Sequence, residues 1–295
     1  MNININAADF RIDGSVPFVI ADRPNSVESF YEDKADYKRQ MKASRKELNQ
    51  LQEMMYAHGR YGMLCVFQAL DAAGKDGTIR NVMSGINPHG VSIHSFKRPT
   101  GEELDHDFLW RSQDHLPRRG DIAIFNRSYY EEILVVKVHP EILTKYQLLP
   151  KENIENMDEV WRGRYASIRE HESHLVRNGT RVLKFFLNLS KDEQRDRFVA
   201  RIDEQEKNWK FNDGDIRERG FWDDYQTAYE EAINATATQD APWYVIPADD
   251  KKNMRIIVSN IIRQEMESLD MEYPQVPEAR RAELQNHRAA LLGEV

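Results

Sequence analysis

Between Tyr61 and Leu70 the chain runs YGMLCVFQAL, without a charge, between stretches dense in lysine, arginine and acidic residues. So short an apolar run predicts a strand buried on both faces of a parallel sheet. Four further segments are predicted as strands: Val91–Phe96, Asp121–Phe125, Arg181–Leu187 and Trp243–Ile246. The segments between them carry helical spacing instead. Helices are predicted over Gly74–Gly85, Glu102–Leu116 (closed by Pro117), Tyr129–Val138, Asp158–Arg177, Phe221–Ala237 and Asp249–Leu269. Ser190 followed by Glu193 forms a capping-box signature that opens another, to about Gln205. Ahead of the first strand, Ser26 to about His58 interleaves Val27, Phe30, Tyr37, Met41, Leu48 and Met55 with charge, as a long amphipathic helix does. Strands alternating with helices imply βαβ units. The expectation is an α/β fold, a three-layer α/β/α sandwich around a five-stranded parallel sheet.

No internal repeat divides the pattern, so one domain is expected over 1–295. It comprises an N-terminal arm and long helix to residue 58, a core over 59–270 and a polar tail over 271–295. Hydrophobic residues at 40% suffice for a sizeable core. No apolar run nears the length of a membrane span, the N-terminus has no signal-peptide pattern, and Cys65, the only cysteine, cannot form an internal disulfide. A cytoplasmic protein with no membrane partner is the expectation. The net charge of −8 argues against nucleic acid and, taken alone, against any polyanion. Its distribution changes that reading: residues 221–295 hold 7 lysines and arginines against 14 acidic residues, leaving the first 220 nearly balanced. A local field decides what enters a cleft.

Ligands of open α/β sheets sit beyond the carboxyl ends of the strands. The first such loop reads Asp71-Ala72-Ala73-Gly74-Lys75-Asp76-Gly77-Thr78. Small residues let backbone N–H groups curl round an anion, the following helix aims its positive end there, and Lys75 adds a full charge. The pattern G-x-x-x-x-G-K-[ST] is half met, since Ala69 replaces the first glycine and Asp76 the Ser/Thr. A carboxylate in a phosphate-facing loop repels its ligand unless a cation lies between, so Asp71 reads as a magnesium ligand. Lys97 and Arg98 follow the second strand, and Asn126, Arg127 and Glu131 the third. Arg118 and Arg119 are also expected at this edge. Arg197, Arg201, Lys207 and Lys210, within a polar stretch of about 191–220, have the look of a lid. Each cation also has a structural reading, as a solvated side chain or a helix-surface ion pair. The nine histidines show no zinc spacing.

Asp71–Thr78, Lys97-Arg98-Pro99 and Asn126-Arg127-Ser128-Tyr129-Tyr130-Glu131, in that order, resemble the type-2 polyphosphate kinase family, over about Tyr56 to Leu269. The resemblance implies a thymidylate-kinase-like P-loop fold with a helical lid, and magnesium-dependent phosphoryl transfer between inorganic polyphosphate and a nucleotide. It makes Asp71, Lys75 and Arg127 the catalytic set, with Asp71 holding the metal. Ala72, Ala73, Gly74, Lys75, Asp76, Gly77, Thr78, Lys97, Arg98, Arg197 and Arg201 would bind phosphate. Asn126, Arg127 and Glu131 would face the nucleotide, adenine or guanine. Many members carry Asp at the position of Asn126; the version here is similar to the subgroup acting on both AMP and ADP. A homo-oligomer is expected. The rival readings are an ATP-dependent kinase of a small metabolite and a non-catalytic nucleotide-binding protein.

Overall fold

The computed structural model describes residues 5–147 and 149–293. Six strands form one sheet: β1 Arg11–Ile12, β2 Gly62–Gln68, β3 Val91–Ser95, β4 Ile122–Asn126, β5 Thr180–Asn188 and β6 Trp243–Pro247. Their order is β1-β6-β5-β2-β4-β3. The five predicted strands are all present and mutually parallel, with β2 central. The expectation of a purely parallel five-stranded sheet is corrected by β1, which pairs antiparallel with β6 through Arg11 to Tyr244 and Ile12 to Trp243. Two residues are too few to show a period, so this strand was invisible in the pattern.

Every residue of β2 is buried, because helices cover both faces. Met63, Cys65 and Phe67 join one apolar cluster with Met41, Leu48 and Met55 of helix Lys34–His58, Ile79 and Val82 of helix Lys75–Met83, and helix Lys251–Glu267. Leu64 and Val66 join the other, with Trp161 and Ile168 of helix Met157–Arg177 and Ala232 and Ile233 of helix Trp222–Thr236. Among the described residues no helix is long and apolar enough to cross a membrane.

Three helix predictions need redrawing. The long N-terminal helix begins at Lys34, not Ser26, because Asp33 caps it by accepting from Asp36 N at 2.7 Å. Residues just ahead are held extended by Asn253, which accepts from Phe30 N and donates to the carbonyls of Val27 and Glu28. The segment 102–116 is two single turns, Gly101–Leu104 and Trp110–Gln113, because the Asp107 carboxylate takes the Leu109 N–H at 2.9 Å and starts a turn of its own. Tyr129–Val138 is likewise a 3-10 turn over Tyr129–Glu132 followed by one α-turn, Val135–Val138. The polar stretch over 205–220 is largely helical: a 3-10 segment Gln205–Lys210 and a helix Asp213–Gly220. The tail holds a helix, Glu278–Leu291, with no buried residue.

Candidate active site

A cleft of about 910 Å³ opens at the carboxyl ends of β2, β3 and β4. Its floor is the loop after β2. Gly74 there has φ +100, a left-handed backbone that favours glycine, while a side chain would meet only the flexible end of Met254, at 3.4 Å. Ala72 (φ 64) and, after β4, Arg127 (φ 62) also sit in the left-handed region without being glycine. Such strain persists only where the surroundings over-determine it. Two non-glycine residues holding it on loops of one cleft make that cleft the candidate site.

Of the residues singled out from the sequence, Asp71 through Gly77, Lys97, Arg98, Asn126, Arg127, Arg197 and Arg201 line this cleft together. Lys75 is half-buried at the start of its helix and donates to the Ala69 carbonyl at 2.6 Å. Burial, with Arg127 beside it, lowers its pKa to about 8 against the pull of Asp71, Glu131 and Asp76. Arg127 forks between two carboxylates, Nη2 donating to Asp71 at 2.9 Å and Nη1 to Glu131 at 3.2 Å. Glu131 chiefly, with Asp71, raises the guanidinium above its ordinary value against burial. Burial raises the Glu131 carboxyl in spite of Arg127 and Lys75. With its amide nitrogen facing Glu131, Gln68 donates to that carboxylate at 2.8 Å and accepts from Ser128 N and Oγ. Asn126 Nδ2 donates to Asp76 at 2.6 Å, tying the ends of β4 and β2 across the floor.

Glu131 lines two pockets beside the cleft. Three expectations are revised. Thr78 is fully buried on the inner face of its helix and does not line the cleft. Arg118 and Arg119 precede β4 rather than follow it, so they lie at the opposite, amino-terminal edge, where Arg118 pairs with Asp121 at 2.8 Å. Arg197 lines the cleft but has no donor to spare. Nε binds Glu193 at 2.7 Å, Nη1 the carbonyls of Ala72 and Ala73, and Nη2 those of Ala248 and Asp249. With five N–H groups met by five acceptors, it braces the phosphate loop to the loop after β6. Arg201 pairs with Asp215 at 3.3 Å and lies 5.4 Å over the Phe198 ring.

Two cations escaped the sequence reading: Lys251 and Arg255, which reach the cleft from the first turns of the helix after β6. The rule that flagged the other strand ends covers this one too, but the acidity of the C-terminal segment obscured it. Beside the cleft, a pocket of about 410 Å³ shares Lys97, Arg98 and Arg127 with it and is faced by Val135, Ile142 and Tyr146, with Arg98 stacked 4.9 Å over the Tyr146 ring.

A mostly parallel α/β sheet with a glycine–lysine loop, a cation-rich cleft at its strand ends and a helical cover defines a protein that handles phosphorylated substrates. The polyphosphate kinase 2 (PPK2) family matches residues 31–274. A relative from Rhodopseudomonas palustris, an ADP-polyphosphate phosphotransferase, is 51% identical over 290 residues, covering 98% of this chain and 100% of that one. An AMP/ADP-polyphosphate phosphotransferase from Meiothermus ruber is 49% identical over 230 residues, 78% of this chain and 81% of its own. The crystal structure of polyphosphate kinase 2 from Arthrobacter aurescens superposes with a TM-score of 0.84 at 34% identity, covering 97% of this chain and 99% of that one. The chain belongs to the polyphosphate kinase 2 family and is a polyphosphate kinase.

Proposed function

We propose that this enzyme moves the terminal phosphoryl group of inorganic polyphosphate onto AMP and ADP by direct in-line attack, with magnesium as cofactor. The observation that carries the reading is the joining of two cavities at Arg127: a cation-rich cleft of about 910 Å³ suited to phosphate groups, and beside it a pocket with apolar walls suited to a base. Adenine is the base we assign, against guanine.

The attacking oxygen of a nucleotide phosphate is already ionised at neutral pH, so no general base is needed, and no histidine lines the cleft. Catalysis then rests on positioning and charge. Lys75 and Arg127 are placed to neutralise the negative charge spread over the transferred group, where fixed donors in a partly dry site count most. Asp71 and Glu131 hold the Arg127 fork at a set angle before substrate arrives. Lys97, Arg98, Arg201, Lys207, Lys251 and Arg255 line the walls that would guide polyphosphate. The helices over 191–220 act as a lid that excludes water.

Among the described residues no three carboxylate, histidine or cysteine side chains converge as a metal cage. Magnesium asks for less, taking one or two carboxylates together with substrate phosphates and water. Asp71, whose side chain is 32% exposed, and Asp76 on the same cleft fit that requirement and would hold the ion, which would neutralise phosphate charge when bound.

The test is purified protein incubated with long-chain polyphosphate, magnesium and either AMP or ADP. ADP or ATP should form without any other phosphoryl donor. Absence of both products would overturn the reading.

A further inference from the structure

In the middle of the sheet, where β5 reads RVLKFFL, Lys184 is wholly buried, and its ammonium donates to Glu172 at 2.6 Å and to the Thr236 carbonyl at 2.8 Å. Glu172 is 1% exposed. The other oxygen of that carboxylate accepts two phenol hydroxyls, Tyr129 at 3.0 Å and Tyr130 at 2.9 Å. A buried ion pair is poor value for stability, since well-packed apolar residues often do as well or better. Its use here lies in what it grips. Tyr129 and Tyr130 come two and three residues after Arg127, in the 3-10 turn that Ser128 caps by accepting from Tyr130 N at 3.1 Å. Arg127 itself is held in the left-handed region, its N–H donating to the Phe67 carbonyl at 3.0 Å. The turn must therefore be clamped from below for Arg127 to keep its fork between Asp71 and Glu131.

We infer that Glu172, with Lys184 fixing its carboxylate, is a positioning residue for phosphoryl transfer: through the Tyr129 and Tyr130 hydroxyls it sets the backbone that aims Arg127 into the cleft. The charge of the pair matters because an ionised carboxylate accepts both hydroxyls on one oxygen while its other oxygen is tethered to β5. A neutral, apolar filling could occupy the same volume but would leave the turn free to shift. The inference rests on Arg127 acting on the transferred phosphate, as proposed above.

A cycle of variants tests it: Tyr129→Phe with Tyr130→Phe, Arg127→Ala, and all three together, assayed with long-chain polyphosphate and ADP well below their melting temperatures. Phenylalanine keeps the rings and the packing, and the two single Tyr→Phe variants serve if the pair folds poorly. The tyrosine pair should lose about ten- to a hundredfold in kcat, the scale of a small misplacement of a catalytic group. Arg127→Ala should lose about a hundredfold or more. The triple variant should match Arg127→Ala, because the hydroxyls act only through that arginine. Equal tyrosine losses in both backgrounds, or a lower melting temperature with kcat intact, would overturn the inference. Wild-type turnover in Arg127→Ala would instead remove its premise, the role of Arg127 itself.

Discussion

Replacing Arg197 separates a brace from a phosphate ligand. All of its donors are engaged, but the bonds to Ala73 and Ala248 are the ones wholly enclosed. Charge-assisted bonds are worth about 1.5–3 kcal/mol each. Counting only those two at about 1.5–2 kcal/mol, because the outer carbonyls regain water, Arg197→Ala should cost about 3–4 kcal/mol. At roughly 2 °C per kcal/mol for a chain of this size, the melting temperature should fall about 6–8 °C. Arg197→Lys discriminates. A lysine keeps the charge but has one nitrogen, which cannot span from the phosphate loop to the loop after β6. It should therefore lose at least half as much stability as alanine does. The assay is calorimetric melting of purified variants, paired with KM for polyphosphate. A lysine variant that melts with the wild type but has a raised polyphosphate KM would refute the reasoning and make Arg197 a ligand.

Lys75→Met should cut turnover about 100- to 1000-fold, the scale of one lost electrostatic donor, with the fold retained by circular dichroism. Because the Lys75 pKa is lowered to about 8, kcat/KM for polyphosphate should decline as pH rises through 8, while Lys75→Arg holds its own plateau there. Stability carries the matching sign. The buried charge penalises folding below pH 8, and the penalty fades as pH climbs toward the ordinary lysine value of 10.5, so the stability of Lys75→Met relative to wild type should shrink over that window. Asp71→Asn should move the magnesium titration of rate to higher concentration; an unchanged titration would remove Asp71 from the metal site. Asn126→Asp would set a carboxylate against Asp76 where a donor now lies at 2.6 Å, and it should lower activity at pH 7 with partial recovery at raised magnesium.

The parts of this molecule with a repeating period were legible in its sequence. Strand-like runs and helical stripes announced β2 to β6, although β3, at the sheet's edge, has no fully buried residue, and the rule that ligands gather at strand ends collected Asp71, Lys75, Lys97, Arg98 and Arg127. What escaped had no period to show. Arg118 stands beside β4 in sequence, yet strand direction puts it at the opposite end of that strand from the cleft. Arg197 looks like any other lid cation until its five acceptors are seen, and four of these are main-chain carbonyls from two distant loops. Lys184 interrupts the apolar run of β5, and only the fold brings Glu172 and the two tyrosines around it. Side-chain partners drawn from remote segments are a product of topology, and local pattern cannot encode them.

The brief β1 has a consequence of another kind. A strand at the margin of a sheet offers its unused N–H and C=O groups to any neighbouring chain, and uncontrolled addition there leads to aggregation. Along β6 that margin is occupied at Trp243 and Tyr244 by β1, and it ends at Pro247, which has no N–H to offer. The occupying strand cannot lengthen in turn. Gly14 swings the chain away at φ +79, so close to the Ala237 carbonyl that a Cβ would lie 2.5 Å from it, and the flanking Arg11 and Asp13 are locked in an ion pair. The segment that reads as a loose arm is a stopper, and it keeps the sheet finite on the side where it could otherwise grow.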